Sequence, residues 1–492
     1  MGIRNGWTSY LTSIAMGIIA SAARGIDGCG RVRVMRPIFI LFVPPARALF
    51  GHRVNRVSLL VMIDIELLRK DPERVKAAIA KKNADPKLVD EFLALDESWR
   101  ALMQSVDAAR AAQKKFSGER DIEGGKKNKE EVKSLEEKIG ALEKKREEIW
   151  LTIPNLPSDD TPVGKDESAN KVLRKNGEPR GFDFEPKDHV ALGEALGMID
   201  VESAGKVSGS RFAYLKGDAV LLEFALIQYG LETLTNEKVI ESIARGVKPD
   251  YHPGTFIPVV PPVMIRSEVF TRMGRLEPKE ERYYIPSDDL YLVGSAEHTL
   301  GPLHMDETIP EGKLPIRYAG FSTAFRREAG SYGKDVRGIL RVHQFDKLEM
   351  ESFTAPEDGL TEQDFFVAVQ EYLMWSLELP YQVVMCCTGD QGDPDARHLD
   401  IETWMPSEKK YRETHSADYM SDYQARRLGT RVRRNAAGVG KGGAAEFVHM
   451  NDATAFAVGR TLIAIMENYQ MKDGRIEVPK VLQKYAGKAI IG

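Results

Sequence analysis

Two runs of heptad-spaced apolar residues, one soon after the other, limit what the first third of this chain can become. Phe92, Leu95, Trp99, Leu102, Val106, Ala109, Gln113 and Phe116 recur at alternating spacings of three and four. Val132, Leu135, Ile139, Leu142 and Ile149 continue the pattern, with Arg146 filling the one gap. Such a seam belongs to helices packed along their length. The break between them, Ser117 to Gly125, holds three glycines and is too short for anything but an antiparallel return. At 1.5 Å per residue the arm should reach roughly 40–50 Å. A short entry helix precedes it, started by Asp71-Pro-Glu73, with proline in the first turn and acids near the positive end of the dipole. Coiled coils most often serve assembly. The outer face offers another use: Lys114, Lys115, Arg120, Lys126, Lys127, Lys129, Lys133, Lys138, Lys144, Lys145 and Arg146 crowd the tip and return helix. That surface suits phosphates, though interleaved glutamates dilute it.

At 492 residues the chain exceeds one ordinary core, so two to four domains are expected. A net charge of -4 excludes a uniformly basic nucleic-acid coat but not a local basic patch. Cys29, Cys386 and Cys387 form neither a disulfide framework nor a CxxC pair, and no HExxH occurs, so a reducing compartment and no zinc are expected. Residues 1–61 carry many arginines, no lysine and one acid, Asp27. They read as an extension outside the fold, either a presequence or the product of a start placed upstream of Met62. Their apolar stretches fall short of the ~20 residues that span a bilayer, so no membrane partner is expected.

The expected division is an extension over 1–61, a helical arm over 62–155, a linker over 156–181 and a catalytic domain over 182–492. Val259–Ile265, Ile316–Arg326, Arg341–Ser352 and Tyr381–Cys387 read as strands. Leu221–Glu232, Glu362–Glu378 and Ala455–Tyr469 read as helices. The irregular spacing predicts an α+β fold with an antiparallel sheet flanked by helices, not a doubly wound parallel one. Gly438-Val-Gly-Lys-Gly-Gly443 fails the P-loop pattern, because Asn435 stands at the first glycine position and Gly442 follows the lysine; it reads as a surface loop.

The stretch from Phe325 to Glu349 reads as a charged hairpin, with Arg326 and Glu328 at one end and Phe345 and Glu349 on the return strand. An arginine on a strand can grip a phosphate, and an aromatic ring can stack on a base. Any charged hairpin alternates Arg and Glu, so the stretch alone leaves ligand binding and structure both open.

Longer motifs decide. Phe325-Arg-Arg-Glu328 resembles motif 2 of the class II aminoacyl-tRNA synthetases, Ala455-Phe-Ala-Val-Gly-Arg-Thr461 resembles motif 3, and Pro261 resembles the motif 1 proline. His343-Gln-Phe-Asp-Lys347, Cys387-Thr-Gly-Asp390, Tyr411-Arg-Glu413, Gln424-Ala-Arg-Arg427, Met466-Glu-Asn-Tyr-Gln470, Thr152-Ile-Pro-Asn-Leu-Pro157 and Val163-Gly-Lys-Asp166 are similar to the seryl family of that class, bacterial type, from about Met62 to Gly492. The resemblance implies a helical tRNA-binding arm, a class II sheet core, and activation of L-serine by ATP with transfer to tRNA(Ser) and also tRNA(Sec). It implies a homodimer through the region of Pro261, Mg²⁺ with ATP, and a cytoplasmic enzyme, or a mitochondrial one if residues 1–61 are a presequence. The rival is a non-aminoacylating paralogue that binds tRNA or regulates.

By the same resemblance, Arg326 and Arg460 are the catalytic residues. Ser295, Ala296, Glu297, Arg326, Glu349 and Thr454 would bind serine. Arg326, Arg327, Glu328, Phe345, Glu413, Thr414, His415, Ser416 and Arg460 would bind ATP, with Glu413 and Ser416 on Mg²⁺. The sequence departs from the family where the usual Thr-Ala-Glu is Ser295-Ala-Glu297 and Glu-Ile-Ser-Ser-Cys-Ser-Asn is Glu413-Thr-His-Ser-Ala-Asp-Tyr419. Asn-Gly-Ser becomes Asp452-Ala-Thr454, and the loop after Asp390 runs Gln391-Gly-Asp-Pro-Asp-Ala-Arg-His398.

Overall fold

The structure is a computed structural model that describes residues 65–119, 121–251, 254–329, 337–435 and 443–492. The extension over 1–61, most of the glycine-rich loop at 438–443 and the hairpin tip at 330–336 lie outside the described residues.

Helix α1 (Ile65–Lys70) and helix α2 (Pro72–Lys81) form the entry, and Asp71 caps α2 by accepting the Arg74 N–H. The seam is carried by α3 (Lys87–Glu119) and α4 (Ile122–Thr152), and the 33 residues of α3 give roughly 50 Å of reach. The helical break is narrower than the sequence suggested. Gly118, Gly124 and Gly125 lie inside helices, because Asp121 accepts the Gly124 N–H and starts α4 directly. Arg146 belongs to the seam and not to the outer cationic face. Its guanidinium lies over Trp99 at 4.5 Å, and its Nε is 3.1 Å from the fully buried Asp96. Arg69 and Arg100 close on the same carboxylate at 2.8 and 3.1 Å. Lysines 114, 115, 126, 127, 129, 133, 138, 144 and 145 remain exposed.

The eight-stranded sheet consists of β1 (Lys171–Asn176), β2 (Ile257–Val259), β3 (Ile316–Phe325), β4 (Gln344–Thr354), β5 (Tyr381–Met385), β6 (Arg397–Met405), β7 (Lys410–Ser421) and β8 (His449–Ala457). Its spatial order is β1-β5-β6-β7-β8-β4-β3-β2. Every pair is antiparallel except β2 on β3, as the irregular spacing predicted. The segment read as a linker is partly sheet: β1 pairs with β5 because Asn170 and Asp166 anchor it to the Cys386–Cys387 loop. The strand expected over Val259–Ile265 is interrupted at Pro261-Pro262 and resumes at Met264–Arg266, since proline cannot donate to a ladder. Ala455–Ala457, expected to be helical, end β8.

Strand alternation divides the sheet into two unlike faces. Leu348, Met350, Ala417, Ala453, Leu399, Ile401, Val383 and Met385 line the apolar face. Helices α5 (Asp218–Leu234), α6 (Gly359–Ser376) and α7 (Val458–Asn468) cover it. One buried ion pair locks α6 to β3: Arg317 Nε donates to Glu362 Oε1 at 2.6 Å, and Tyr251 joins both. Removing either partner of so buried a pair costs about 3–5 kcal/mol. The opposite face is polar.

Candidate active site

The polar face carries two cross-strand rows. In the first, Glu349 faces Thr454, Ser416 lies 3.4 Å from Thr454 hydroxyl to hydroxyl, and Asp400 faces Ser416. In the second, Glu351 faces Asp452, Asp452 faces Asp418, and Asp418 faces His398. Alternation along β4, β8, β7 and β6 turns these side chains away from the helices and into one cleft.

At the hairpin end, the Arg326 N–H donates to His343 O at 3.0 Å, which closes the β3–β4 pair. The Arg326 guanidinium lies over Phe345 at 5.4 Å and donates to Gly294 O at 3.2 Å. Burial and the neighbouring Arg460 hold it below its ordinary value. Arg460, in the first turn of α7, sits 3.0 Å from Glu413 Oε1; the two charges stabilise each other, which lowers the Glu413 carboxyl. Glu328 is held by Arg341, and its φ of +53° is a left-handed conformation that non-glycine residues seldom adopt. Two guanidiniums beside an aromatic ring, each held by a displaceable carboxylate or carbonyl, suit a phosphate chain with an attached base.

The other end of the cleft is smaller and buried. Glu349 is 0% exposed; its Oε2 accepts from Ser295 Oγ at 3.1 Å and lies 2.5 Å from Lys347 Nζ, while Oε1 has no partner among the described residues. Burial raises the Glu349 carboxyl, and Lys347 opposes that shift. An unfilled acceptor beside a hydroxyl and an ammonium suits a small polar group.

Several sequence-assigned residues stand elsewhere. Glu297 has one carboxylate oxygen already engaged. Its Oε1 accepts from Arg275 Nε at 2.7 Å and Gln424 Nε2 at 3.2 Å. Burial works to raise it, yet Arg275 holds it down to about 2. The Ala296 side chain packs in an apolar cluster with Leu300 and Val293, which leaves only its backbone for a ligand. Thr414 and His415 point away from the cleft, because a bulge between Glu413 and His415 shifts the alternation of β7. Thr414 Oγ1 pairs with Thr403 at 2.7 Å, and His415 lies 6.0 Å from Phe456 beneath the sheet. The same bulge leaves Glu413 and Ser416 on the cleft side. Arg327 is exposed and lies over Tyr283 at 5.6 Å.

Sequence reasoning gave Lys347 no role beyond pairing along the strand and missed Arg275. Lys347-Leu-Glu-Met-Glu351 alternates charged and apolar residues, so the shared face of Lys347 and Glu349 was visible. Arg275 carried no such signal. Its guanidinium reaches Asp395 and Asp452 at 3.2 Å and Asp418 at 3.4 Å.

Comparisons with known proteins agree with this geometry. A family model described as the class II tRNA synthetase core domain (G, H, P, S and T) matches residues 282–469, and the seryl-tRNA synthetase N-terminal domain matches 62–157. The serine–tRNA ligase of Pseudothermotoga lettingae is 40% identical over 447 residues, covering 88% of this chain and 100% of that protein. The seryl-tRNA synthetase of Pyrococcus horikoshii, solved with ATP, is 36% identical with a TM-score of 0.78, covering 87% of this chain and 99% of that one. The cytoplasmic enzyme of Naegleria fowleri, solved with AMP, is 31% identical with a TM-score of 0.77, covering 87% and 98%. The chain therefore belongs to the serine–tRNA ligase family of class II aminoacyl-tRNA synthetases.

Proposed function

We propose that this serine–tRNA ligase activates L-serine in the cleft between Arg460 and Glu349 and passes it to a tRNA gripped by the helical arm. The observation that carries the residue roles is the pairing of the Arg326–Phe345–Arg460 end with the buried Glu349–Ser295–Lys347 end in one cleft. Serine carboxylate attacks the α-phosphorus of ATP, the bond to the bridging oxygen breaks, and pyrophosphate leaves with that electron pair. Charge builds on the phosphate oxygens, so positioned cations supply most of the catalysis. Arg326 bridges the serine carboxylate and α-phosphate, and Arg460 releases Glu413 to hold the γ-phosphate. Phe345 stacks on adenine, and Glu328 accepts from its amino group once Arg341 swings off. Glu349 and Thr454 take the serine hydroxyl beside Ser295, and Glu297, whose Oε1 is held by Arg275 and Gln424, offers its other oxygen to the substrate ammonium.

Glu413 and Ser416 fit Mg²⁺, since the bulge leaves a carboxylate and a hydroxyl on the cleft side and hard oxygen donors are what that ion takes. The bound ion would neutralise phosphate charge. In the second half-reaction the 3′-terminal ribose hydroxyl attacks the seryl carbonyl and AMP leaves. The exposed lysines of α3 and α4 meet tRNA phosphates far from the acceptor end. Residues 62–155 form the arm and 182–492 the catalytic part. The edge strand β2 and the bend after it expose Ile257 at 52% and Val260 at 83%, an apolar edge suited to a second copy. We place the enzyme in the cytoplasm. ATP–pyrophosphate exchange with each amino acid, followed by charging of tRNA(Ser) and tRNA(Sec), tests the proposal. Serine should be the best substrate, and exchange without charging would favour the non-aminoacylating paralogue.

A further inference from the structure

The expectation of no zinc rests on spacing along the chain, and a sheet sets spacing across it. Cys386 follows β5, and its N–H donates to His398 O at 3.1 Å, which sets the two residues opposite each other on neighbouring strands. His398 and Asp400, two apart on β6, share one face. As a result a thiol, an imidazole nitrogen and a carboxylate oxygen all lie within 4.8 Å of one another. Cys386 Sγ is 3.2 Å from Asp400 Oδ2, and His398 Nε2 is 2.9 Å from Asp400 Oδ1. None of the three has a part in the serine or ATP chemistry above.

We propose that Cys386, His398 and Asp400 form a binding site for a zinc-class divalent cation, separate from the Mg²⁺ that accompanies ATP. The donor set of one sulfur, one nitrogen and one oxygen suits that class and leaves a fourth position for water. The surroundings match what metal-binding histidines need. Asp418 on β7 holds His398 Nδ1, which fixes the ring and leaves Nε2 for an ion. Asn170 stands over the sulfur, with Nδ2 3.7 Å from Cys386 Sγ and Oδ1 accepting the Cys387 N–H at 2.9 Å. Cys386 is 1% exposed, while the His398 and Asp400 side chains keep 17% and 13% exposure, so an ion has a way in. A second triad, Asp395, His398 and Asp418, shares the same histidine. Arg275 lies 3.2 Å from Asp395 and 3.4 Å from Asp418 and already balances those carboxylates, so the ion belongs on the cysteine side. Asp400 is the cross-strand neighbour of Ser416, which puts the site one strand from the phosphate end of the cleft.

The alternative is a closed ionic hydrogen-bond chain in which a protonated His398 bridges Asp418 and Asp400 and no metal binds. The full chain, stripped with chelator, is dialysed against Zn²⁺ or Co²⁺ with excess Mg²⁺ present. Metal content is measured by mass spectrometry and Co²⁺ coordination by absorption. One equivalent per chain is expected, with a thiolate-to-cobalt charge-transfer band. Cys386→Ser should lose the band and bind zinc at least ~10-fold more weakly, and Asp418→Asn should weaken it ~10–100-fold through the orienting carboxylate. Cys387→Ser, whose sulfur only donates to Asp166 O at 3.1 Å, should retain both signals. Wild-type protein that takes up no metal beyond Mg²⁺, or a Cys386→Ser protein that binds zinc as tightly as wild type, overturns the site. The wild-type measurement decides even if a variant fails to fold.

Discussion

Glu349→Gln tests how this enzyme reads the serine hydroxyl. Glu349 is 0% exposed and spends one oxygen on Ser295 and Lys347, at 3.1 and 2.5 Å, while the other has no partner among the described residues. A hydroxyl donating to that free oxygen makes a charged hydrogen bond, worth about 1.5–3 kcal/mol. Glutamine still offers a neutral acceptor worth about 0.5–1.5 kcal/mol, so the loss is about 1–1.5 kcal/mol, and at about 1.4 kcal/mol per tenfold the preference for serine over alanine should fall by ~5–12-fold. A second effect must be separated from this one. Lys347 loses its carboxylate in a buried setting, which costs about 3–5 kcal/mol of stability. That loss lowers the amount of folded enzyme equally for both amino acids, so the ratio of kcat/KM values is the proper readout, not either rate. The assay is ATP–pyrophosphate exchange with serine and with alanine, in wild type, Glu349→Gln, Lys347→Met and the double variant. An unchanged ratio in Glu349→Gln would assign the reading to Thr454 or a backbone group. Recovery of the wild-type ratio in the double variant would show that Glu349 serves only to hold Lys347.

Arg326→Ala and Arg460→Ala should each slow pyrophosphate exchange by at least ~10²-fold, the usual effect of removing one preorganised donor; near-normal exchange in either would remove its assigned role. Replacing Leu102 to Leu142 by a short Gly/Ser bridge should spare exchange and impair charging of tRNA(Ser). Trp99 Nε1 donates to Glu143 Oε1 at 3.0 Å just below the cut, so the bridge joins adjacent points and keeps the Asp96 cluster; intact charging would make the arm an assembly rod. Burial, and the Asp346 carboxylate to which protonated Glu223 donates, push the Glu223 carboxyl up to about 8, against an ordinary value of 4.5. The folded protein therefore keeps this proton when the unfolded chain has lost it. The stability it contributes is whole below about pH 4.5 and is lost as pH rises through about 8. Glu223→Gln should raise Tm at about pH 9 and change it little at about pH 5; calorimetry showing the wild-type pH dependence unchanged would refute the shift.

The features legible in the sequence are those that repeat locally. The seam of α3 and α4 was readable because each heptad announces the next, and even Arg146 fell on its register. The break between the helices was misjudged because glycines suggested a loop, whereas one cap at Asp121 is enough to start a helix through Gly124 and Gly125. The β3–β4 hairpin was readable because both strands belong to one continuous motif. The direction of the Thr414 and His415 side chains was not legible because a single bulge, invisible in composition, turns them under the sheet. His398-Leu-Asp-Ile-Glu402 alternates as plainly as Lys347-Leu-Glu-Met-Glu351, and the polar row it forms went unread only because its partners lie on other strands.

The departures from the family pattern show most clearly what a chain read in one dimension hides. Asp418 stands where the family has serine, Asp452 where it has asparagine, and Asp395 in the altered loop after Asp390, each separate along the chain. In the fold all three meet one guanidinium, that of Arg275, within 3.4 Å. A single asparagine-to-aspartate change at 452 would bury a charge without a partner, at a cost of several kcal/mol. Arg275 gives the added carboxylates one shared cation, and Glu297 is drawn into the same network; burial still raises the Asp395 and Asp452 carboxyls. Differences far apart along the chain thus converge on one cation in the fold. The consequence is a floor beneath Thr454 crowded with carboxylates around one cation, so Arg275→Met should destabilise the cleft by about 3–5 kcal/mol, whereas Asp452→Asn, which removes a carboxyl that burial already raises well above its ordinary value, should be the milder change; a loss of Tm as large for Asp452→Asn as for Arg275→Met would refute this.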